Sequence, residues 1–191
     1  MDDLWVVVGL GNPGERYART RHNAGARALA RLAGELGVRL RAWKGQALVG
    51  EGRHDGKRLV LAVPATYMNE SGRAVGALKR WYKVPPERIV VVHDEIDLPA
   101  GTLRLKIGGG SAGNRGVESV VENLGTKDFH RVRIGVGRPA SSHQDAADWV
   151  LEPMSSKAAE ELEAVEARAA EAVLELVGSG PDRAMNRFNS R

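Results

Sequence analysis

The sequence predicts an α/β fold in one domain, on three observations. Leu4 to Leu10, with three consecutive valines, and Ile89 to Val92 are continuous apolar runs, as expected of strands buried on both faces of a sheet. After Leu4 to Leu10, and again after Arg58 to Val63, a polar loop gives way to apolar residues at helical spacing, so strand, loop and helix recur in that order. At 191 residues with 42% hydrophobic content, the chain is long enough for one core and short for two.

From the amino end, Gly9 to Gly25 packs turn formers, Arg16, Arg19, Arg21, Asn12, Asn23, Tyr17 and His22 between the first strand and a helix. That helix carries Ala26, Leu29, Ala30, Ala33 and Leu36 on one face, with Asn23 as its N-cap and Gly37 as its stop signal. Open α/β sheets bind ligands at the carboxyl ends of their strands, so the stretch reads as an active-site loop. Ala47 to Gly52 and Arg58 to Val63 flank His54-Asp55-Gly56-Lys57, whose Asp-Gly is a hairpin turn former, and are expected as neighbouring antiparallel strands. Pro64 to Gly72 is a second polar loop. Val75, Leu78, Trp81 and Tyr82 then mark the inward face of a helix ended by Pro85-Pro86.

Ile89 to Val92 delivers a third polar cluster, His93 to Pro99, at its carboxyl end. Thr102 to Ile107 alternates Leu103, Leu105 and Ile107 with Arg104 and Lys106, so two cations face solvent or a partner. Gly108 to Gly116 reads as a mobile glycine-rich loop feeding a short helix over Val117 to Leu124. His130 to Val136 is the last strand and carries Arg131 and Arg133. Lys157 to Val177 is an acidic helix with Leu162, Val165, Ala169, Val173 and Leu176 facing inward, expected to cover a sheet face or edge. Residues 178–191 read as a loosely held end.

The net charge of +4 hides an asymmetry. Residues 1–151 hold 23 Lys and Arg against 16 Asp and Glu, whereas residues 152–177 hold 2 against 7. The basic part is the part with the loops, which suits a polyanionic partner. The absence of cysteine removes disulfides, thiolate metal sites and a cysteine nucleophile together. No basic-then-apolar leader pattern opens the chain and no apolar run approaches the ~20 residues of a membrane span, so a cytoplasmic protein without membrane contact is expected.

His22, Asp94, Asn12 and Asn69 fall on three loops at strand ends, and together they are a set for water-driven acyl transfer. A histidine near its ordinary pKa of ~6.5 takes a proton from water, a carboxylate on its other nitrogen fixes the tautomer, and uncharged amides hold a carbonyl while charge develops. No protein nucleophile and no cofactor is required. Taken singly each residue has a blander reading, His22 as a surface histidine and Asp94 as a cap. Gly9-x-Gly11-x-x-Gly14 with Glu35 also matches a dinucleotide-binding fingerprint, but Pro13 and a run of polar residues intervene before any helical periodicity begins.

Five motifs in register make a more specific match. Gly9-Leu10-Gly11-Asn12-Pro13-Gly14 with Tyr17, Thr20-Arg21-His22-Asn23-Ala24-Gly25, Tyr67-Met68-Asn69-x-Ser71-Gly72, His93 to Pro99, and Arg133-Ile134-Gly135-Val136-Gly137-Arg138-Pro139 resemble the bacterial peptidyl-tRNA hydrolase family over nearly the whole chain. The resemblance implies a single three-layer α/β/α domain with a mixed, mostly parallel twisted sheet. It implies a monomeric enzyme that cleaves the ester between peptide and tRNA, with peptidyl-tRNA as its partner and no metal. His22 would be the general base, Asp94 its supporting carboxylate, and Asn12 the residue that separates N-blocked from free aminoacyl-tRNA. Asn69, Tyr67 and Tyr17 would contact the acyl group and 3′ nucleotide, and Met68 would pack against peptide or base. Arg104, Lys106 and Arg133 would face the acceptor stem.

One stretch departs from the family. Its glycine-rich loop usually ends Gly-His-Asn-Gly, whereas this chain reads Gly113-Asn114-Arg115-Gly116, so Arg115 stands where an asparagine is usual. Asn114 and Arg115 are kept as substrate-contacting residues. An RNA-binding homologue without turnover is the alternative that this departure raises. A divalent-metal hydrolase on Asp94, Glu95 and Asp97 is a third reading, disfavoured because successive strand residues point to opposite faces.

Overall fold

In the computed structural model, which describes residues 3–189, β1 (Leu4–Gly9) is buried throughout. Its Trp5 and Val7 enter one apolar core, and Leu4, Val6 and Val8 enter another. The same division runs through β4 (Lys57–Pro64), where Leu59 and Leu61 oppose Val60 and Ala62. It recurs in β5 (Ile89–Glu95), where Val90 and Val92 oppose Ile89 and Val91. Alternation between two cores is why these strands read as unbroken apolar runs.

With β2 (Arg41–Trp43), β3 (Ala47–His54), β6 (Leu103–Ile107) and β7 (His130–Gly135), they form one sheet in the order β2-β3-β4-β1-β5-β7-β6. The four central strands pair in parallel and antiparallel partners flank them, giving a mixed, mostly parallel sheet. Helices α1 (Ala24–Glu35), α5 (Ser156–Ser179) and α6 (Pro181–Asn189) cover one face, and α2 (Ser71–Tyr82) and α3 (Arg115–Leu124) the other. A four-residue helix, α4 (Ala146–Trp149), precedes α5. None of the described helices is long and apolar enough to cross a membrane. The β3–β4 turn places Asp55 and Gly56 at φ 49° and 76°, the left-handed pair that a two-residue hairpin requires.

Two expectations are corrected, and one strand, β2, carries no sequence signal because three residues, two of them exposed, are too few for a period. Trp81 does not face the core: it is 58% exposed at the end of α2, edge-on to Trp43 at 6.3 Å, with the Lys44 ammonium 3.5 Å above its ring. The carboxyl end is not loosely held over residues 181–189. Ala184 and Phe188 are buried, and the Asn189 amide donates to Leu105 O at 2.9 Å and accepts from Leu105 N–H at 2.7 Å. Those two bonds satisfy Leu105 on the open edge of β6, the side away from β7. Residues 190 and 191 lie outside the described residues.

Helices α2 and α3 touch through backbone: a Cβ on Gly72 would lie 1.9 Å from Ser119 O, while one on Gly76 would first meet the flexible end of Arg80 at 3.3 Å. Gly72→Ala is therefore expected to cost ~1–3 kcal/mol of stability. Gly76→Ala, one turn away, is expected to be neutral or to gain up to ~1 kcal/mol from helix propensity. Urea denaturation of the two variants checks this, and equal midpoints would mean that the α2–α3 contact is looser than it looks.

Candidate active site

Where α1 begins, its backbone lies directly on the sheet. A Cβ on Gly25 would come within 2.1 Å of Val92 O, and one on Gly9 within 2.3 Å of Gly25 O, so only glycine permits the approach. The 3-10 turn Arg21–Asn23 that leads into α1 is thereby pressed against the end of β5. His22 Nδ1 stands 3.0 and 2.9 Å from the two oxygens of Asp94, and the His22 N–H donates to Val150 O at 2.9 Å. The imidazole is 14% exposed and the carboxylate 2%.

Asn23 occupies the N-cap position of α1, but its side chain does not cap the helix. Its Oδ1 accepts from Asn12 N–H at 2.9 Å and its Nδ2 donates to Asn12 O at 2.9 Å, fixing the backbone of Asn12 instead. Asn12 Oδ1 in turn accepts from Met68 N–H at 2.7 Å, which leaves Asn12 Nδ2 as the donor available at the cleft. Met68 is buried against Gly116, while Asn69 is exposed at the rim. Tyr67, 58% exposed, meets Tyr17 edge-on at 6.4 Å. Asn12, His22, Tyr67, Met68, Asn69, Asp94, Asn114 and Arg115 thus line one cleft of about 560 Å³.

Burial pushes the His22 imidazole down, and the Asp94 charge and hydrogen bond more than reverse that, so its pKa lies above the ordinary value. Asn114 holds the other side of the carboxylate: Nδ2 donates to Asp94 Oδ1 at 3.1 Å, and Oδ1 caps α3 by accepting from Gly116 and Val117 N–H. Both halves of the Asn114 amide are therefore taken up inside the protein, which differs from the expected substrate contact. Arg115, first residue of α3, is exposed.

Strand parity sends Asp94 toward α1 and its neighbours His93 and Glu95 to the opposite face. There β7 and β6 place Arg133 beside Arg104 and Arg131 beside Lys106. Glu95 is buried 3.8 Å from Arg133 and 4.0 Å from Arg131. Arg131 was missed as a functional residue because alternation alone makes it resemble the other cations of the stripe, Arg133, Arg104 and Lys106. It is 1% exposed, donates to His93 Nε2 at 3.0 Å, and grips Gly108 O and Gly110 O of the glycine-rich loop at 3.2 and 2.6 Å. Burial lowers its pKa to about 10, Glu95 working against that and Arg133 adding to it. The loop is tethered more than its composition implied. Asp94, Glu95 and Asp97 each face a different nitrogen partner, Asp97 that of Arg138 at 2.6 Å, and among the described residues no three such side chains converge as a metal site.

A wall of the cleft was also missed: Ala146, Ala147, Val150 and Leu151, with Asp145 capping α4. The segment is stapled to the turn that carries His22, since Arg21 stacks on Trp149 with 3.5 Å to the ring centroid. The signal available was an Asp followed by apolar residues and a tryptophan, too short for any period.

A family model for peptidyl-tRNA hydrolase matches residues 6–191. The chain belongs to the peptidyl-tRNA hydrolase family. It is 49% identical over 187 residues to the peptidyl-tRNA hydrolase of Moorella thermoacetica, covering 96% of this chain and 97% of that one. It is 49% identical over 191 residues to that of Mycobacterium tuberculosis, covering both chains completely. The crystal structure of peptidyl-tRNA hydrolase from Acinetobacter baumannii superposes with a TM-score of 0.90 at 36% identity, covering 100% of this chain and 96% of that one. The family fold agrees with the α/β/α expectation, and the dinucleotide fingerprint is excluded by geometry: Gly14 has φ 95° in an open loop, ten residues before α1 starts.

Because Asp94 is what raises the His22 pKa, Asp94→Asn is expected to lower the His22 titration midpoint measured by NMR and to carry the acid limb of any rate profile to lower pH. An unmoved midpoint would detach Asp94 from the histidine's basicity.

Proposed function

We propose that this protein hydrolyses the ester joining a peptide, or an N-blocked aminoacyl group, to the terminal ribose of tRNA, using water activated by His22. The observation that carries this reading is the His22 imidazole held through Nδ1 on both Asp94 oxygens at a cleft large enough for a nucleotide and a residue of peptide. A carboxylate only accepts, so Nδ1 carries the proton and Nε2 keeps the lone pair. Nε2 takes a proton from water as the water oxygen attacks the acyl carbon. When the tetrahedral intermediate collapses, the bond to the ribose oxygen breaks and the imidazolium returns its proton to that leaving hydroxyl. Asp94 stabilises the imidazolium in between, and the Asn12 and Asn69 amides donate to the carbonyl oxygens.

Asn12 also supplies selectivity in this reading. The amide carbonyl of an N-blocked substrate accepts from Asn12 Nδ2, whereas the ammonium of a free aminoacyl ester has no lone pair to offer. Tyr17, Tyr67 and Met68 frame the 3′ nucleotide and acyl group. Arg104, Lys106 and Arg133 hold acceptor-stem phosphates, with Arg115 as a further cation at the rim. The protein acts as a monomer in the cytoplasm, with tRNA as its partner.

N-acetylated and free aminoacyl-tRNA, incubated separately with the protein, test the class: release from the blocked species alone is expected, whereas binding without release would favour the RNA-binding alternative. His22→Ala is expected to lower turnover by ~10²–10⁴ with tRNA affinity nearly unchanged. Arg104→Ala and Lys106→Ala are expected to raise KM more than they lower kcat, each flattening the salt dependence of tRNA binding by about one unit of slope. Wild-type salt slopes in both variants would reduce these cations to a solvated sheet face.

A further inference from the structure

Two residues before His22, Thr20 O accepts a hydrogen bond from Arg27 Nη1 at 2.6 Å, and Ala18 O accepts from the same nitrogen at 2.8 Å. The opposite edge of that guanidinium meets Glu166 on α5. Nε donates to Oε2 at 3.0 Å and Nη2 to the same oxygen at 2.9 Å, with Oε1 3.2 Å from Nε. A guanidinium offers five N–H groups in one rigid plane, and four are engaged here: two on loop carbonyls, two on the carboxylate.

Glu166 is the one charged residue on the buried face of α5 and is 5% exposed. Burial pushes its carboxyl up, while Arg27 pulls it down, Glu163 of the same helix pushes it further up and Arg31 of α1 pulls it down. Burying such a pair costs several kcal/mol in desolvation, and an apolar pair would hold α1 on α5 as well or better. What an apolar pair cannot do is donate to two backbone carbonyls and so fix their direction. The distinctive product of the Arg27–Glu166 contact is therefore the position of residues 18–20, and the chain has only Arg21 between that anchor and the imidazole.

We propose that Arg27 and Glu166 are positioning residues for His22: seated between α1 and α5, they fix the backbone at Ala18 and Thr20 and so hold the imidazole against Asp94. Neither residue touches the reacting atoms. The catalytic turn is then clamped from two sides, by Arg27 ahead of His22 and by Val150 O on the His22 N–H itself. The consequence for rate rests on the reading of His22 as general base, but the consequence for His22 geometry does not.

Glu166→Gln keeps the shape and removes the charge, Arg27→Met removes the fork, and Arg27→Lys keeps the charge without the fork. The measurements are the His22 titration midpoint by NMR, and kcat and KM on N-acetylated aminoacyl-tRNA. Arg27→Met and Glu166→Gln are expected to lower kcat ~10–100-fold with KM within about twofold, as a small misplacement of a catalytic group does. In both, the His22 midpoint falls as the imidazole loses its seat on Asp94, the charged group that acts on it. Arg27→Lys follows them in direction and carries the test if Arg27→Met does not fold. Arg31→Met, which removes the surface contacts to Glu35 and Glu163 and only the weakest of the charges acting on Glu166, leaves the Arg27 fork in place and is expected to change neither readout. An unmoved His22 midpoint in Glu166→Gln and Arg27→Lys overturns the proposal and leaves the pair a helix–helix contact. A wild-type protein inactive on the acylated tRNA would sink the function reading alone, since the titration still decides this one.

Discussion

The site depends on how closely the start of α1 can lie against β1 and β5. Gly9 and Gly25 put backbone against backbone there, and that contact, rather than any side-chain preference, carries His22 to Asp94 across 72 positions of sequence. The distance decides the electrostatics. A histidine this buried would lose basicity to desolvation, and the carboxylate at 2.9 Å reverses the sign. A displacement of the turn by an ångström or so would leave a buried imidazole with the desolvation and without the compensation. The interactions around the turn can be understood as defences of that distance: Asn23 tying the Asn12 backbone, Asn114 steering the Asp94 carboxylate, Val150 holding the His22 N–H.

Strand parity lets β5 serve two purposes. Asp94 faces α1 and His22, while His93 and Glu95 face the other side, where β7 and β6 bring four cations together. A polyanion held on that second face would lie around the corner from the histidine without competing with it for Asp94. Arg131 joins the two, because the guanidinium that holds the glycine-rich loop also bonds the histidine adjacent to Asp94. His93 is suited to accept that bond only when neutral. Burial first, and then the neighbouring arginines, keep its pKa far below the ordinary value, so it stays neutral across the physiological range.

The central strands were legible because burial on both faces leaves a run of valines and leucines that nothing else in a polar chain imitates. The Asp55-Gly56 turn was legible because few residues adopt its backbone angles. What was not legible depended on partners distant in sequence. Trp81 has the spacing of a core residue, but it stands exposed at the end of α2, against Trp43 of the three-residue β2 rather than in the core. Asn189 holds an edge that no local pattern announces. At the site, His22 and Asp94 could be named from residue type and from their places after one strand and at the end of another. The α4 wall, the half-buried Arg27 and the buried Arg131 could not, because what they hold is backbone distant in sequence or in another element.

The Gly113-Asn114-Arg115-Gly116 segment shows how a change of residue type redistributes tasks. Asn114 spends one half of its amide on Asp94 and the other on the α3 N-terminus, so the segment's only neutral amide is committed within the protein. Arg115 then stands as a cation in the first turn of α3, where the helix macrodipole already presents positive charge. That placement disfavours the isolated protein by roughly 0.3–1 kcal/mol at low ionic strength. The same placement reverses in value beside a phosphate, because the guanidinium and the helix N-terminus then act on one anion together. A residue that is slightly wrong for the empty protein and right for the occupied one contributes affinity in proportion to that difference. Under the proposed function, that difference would add to the hold on the tRNA end, while Asn114 stays with Asp94.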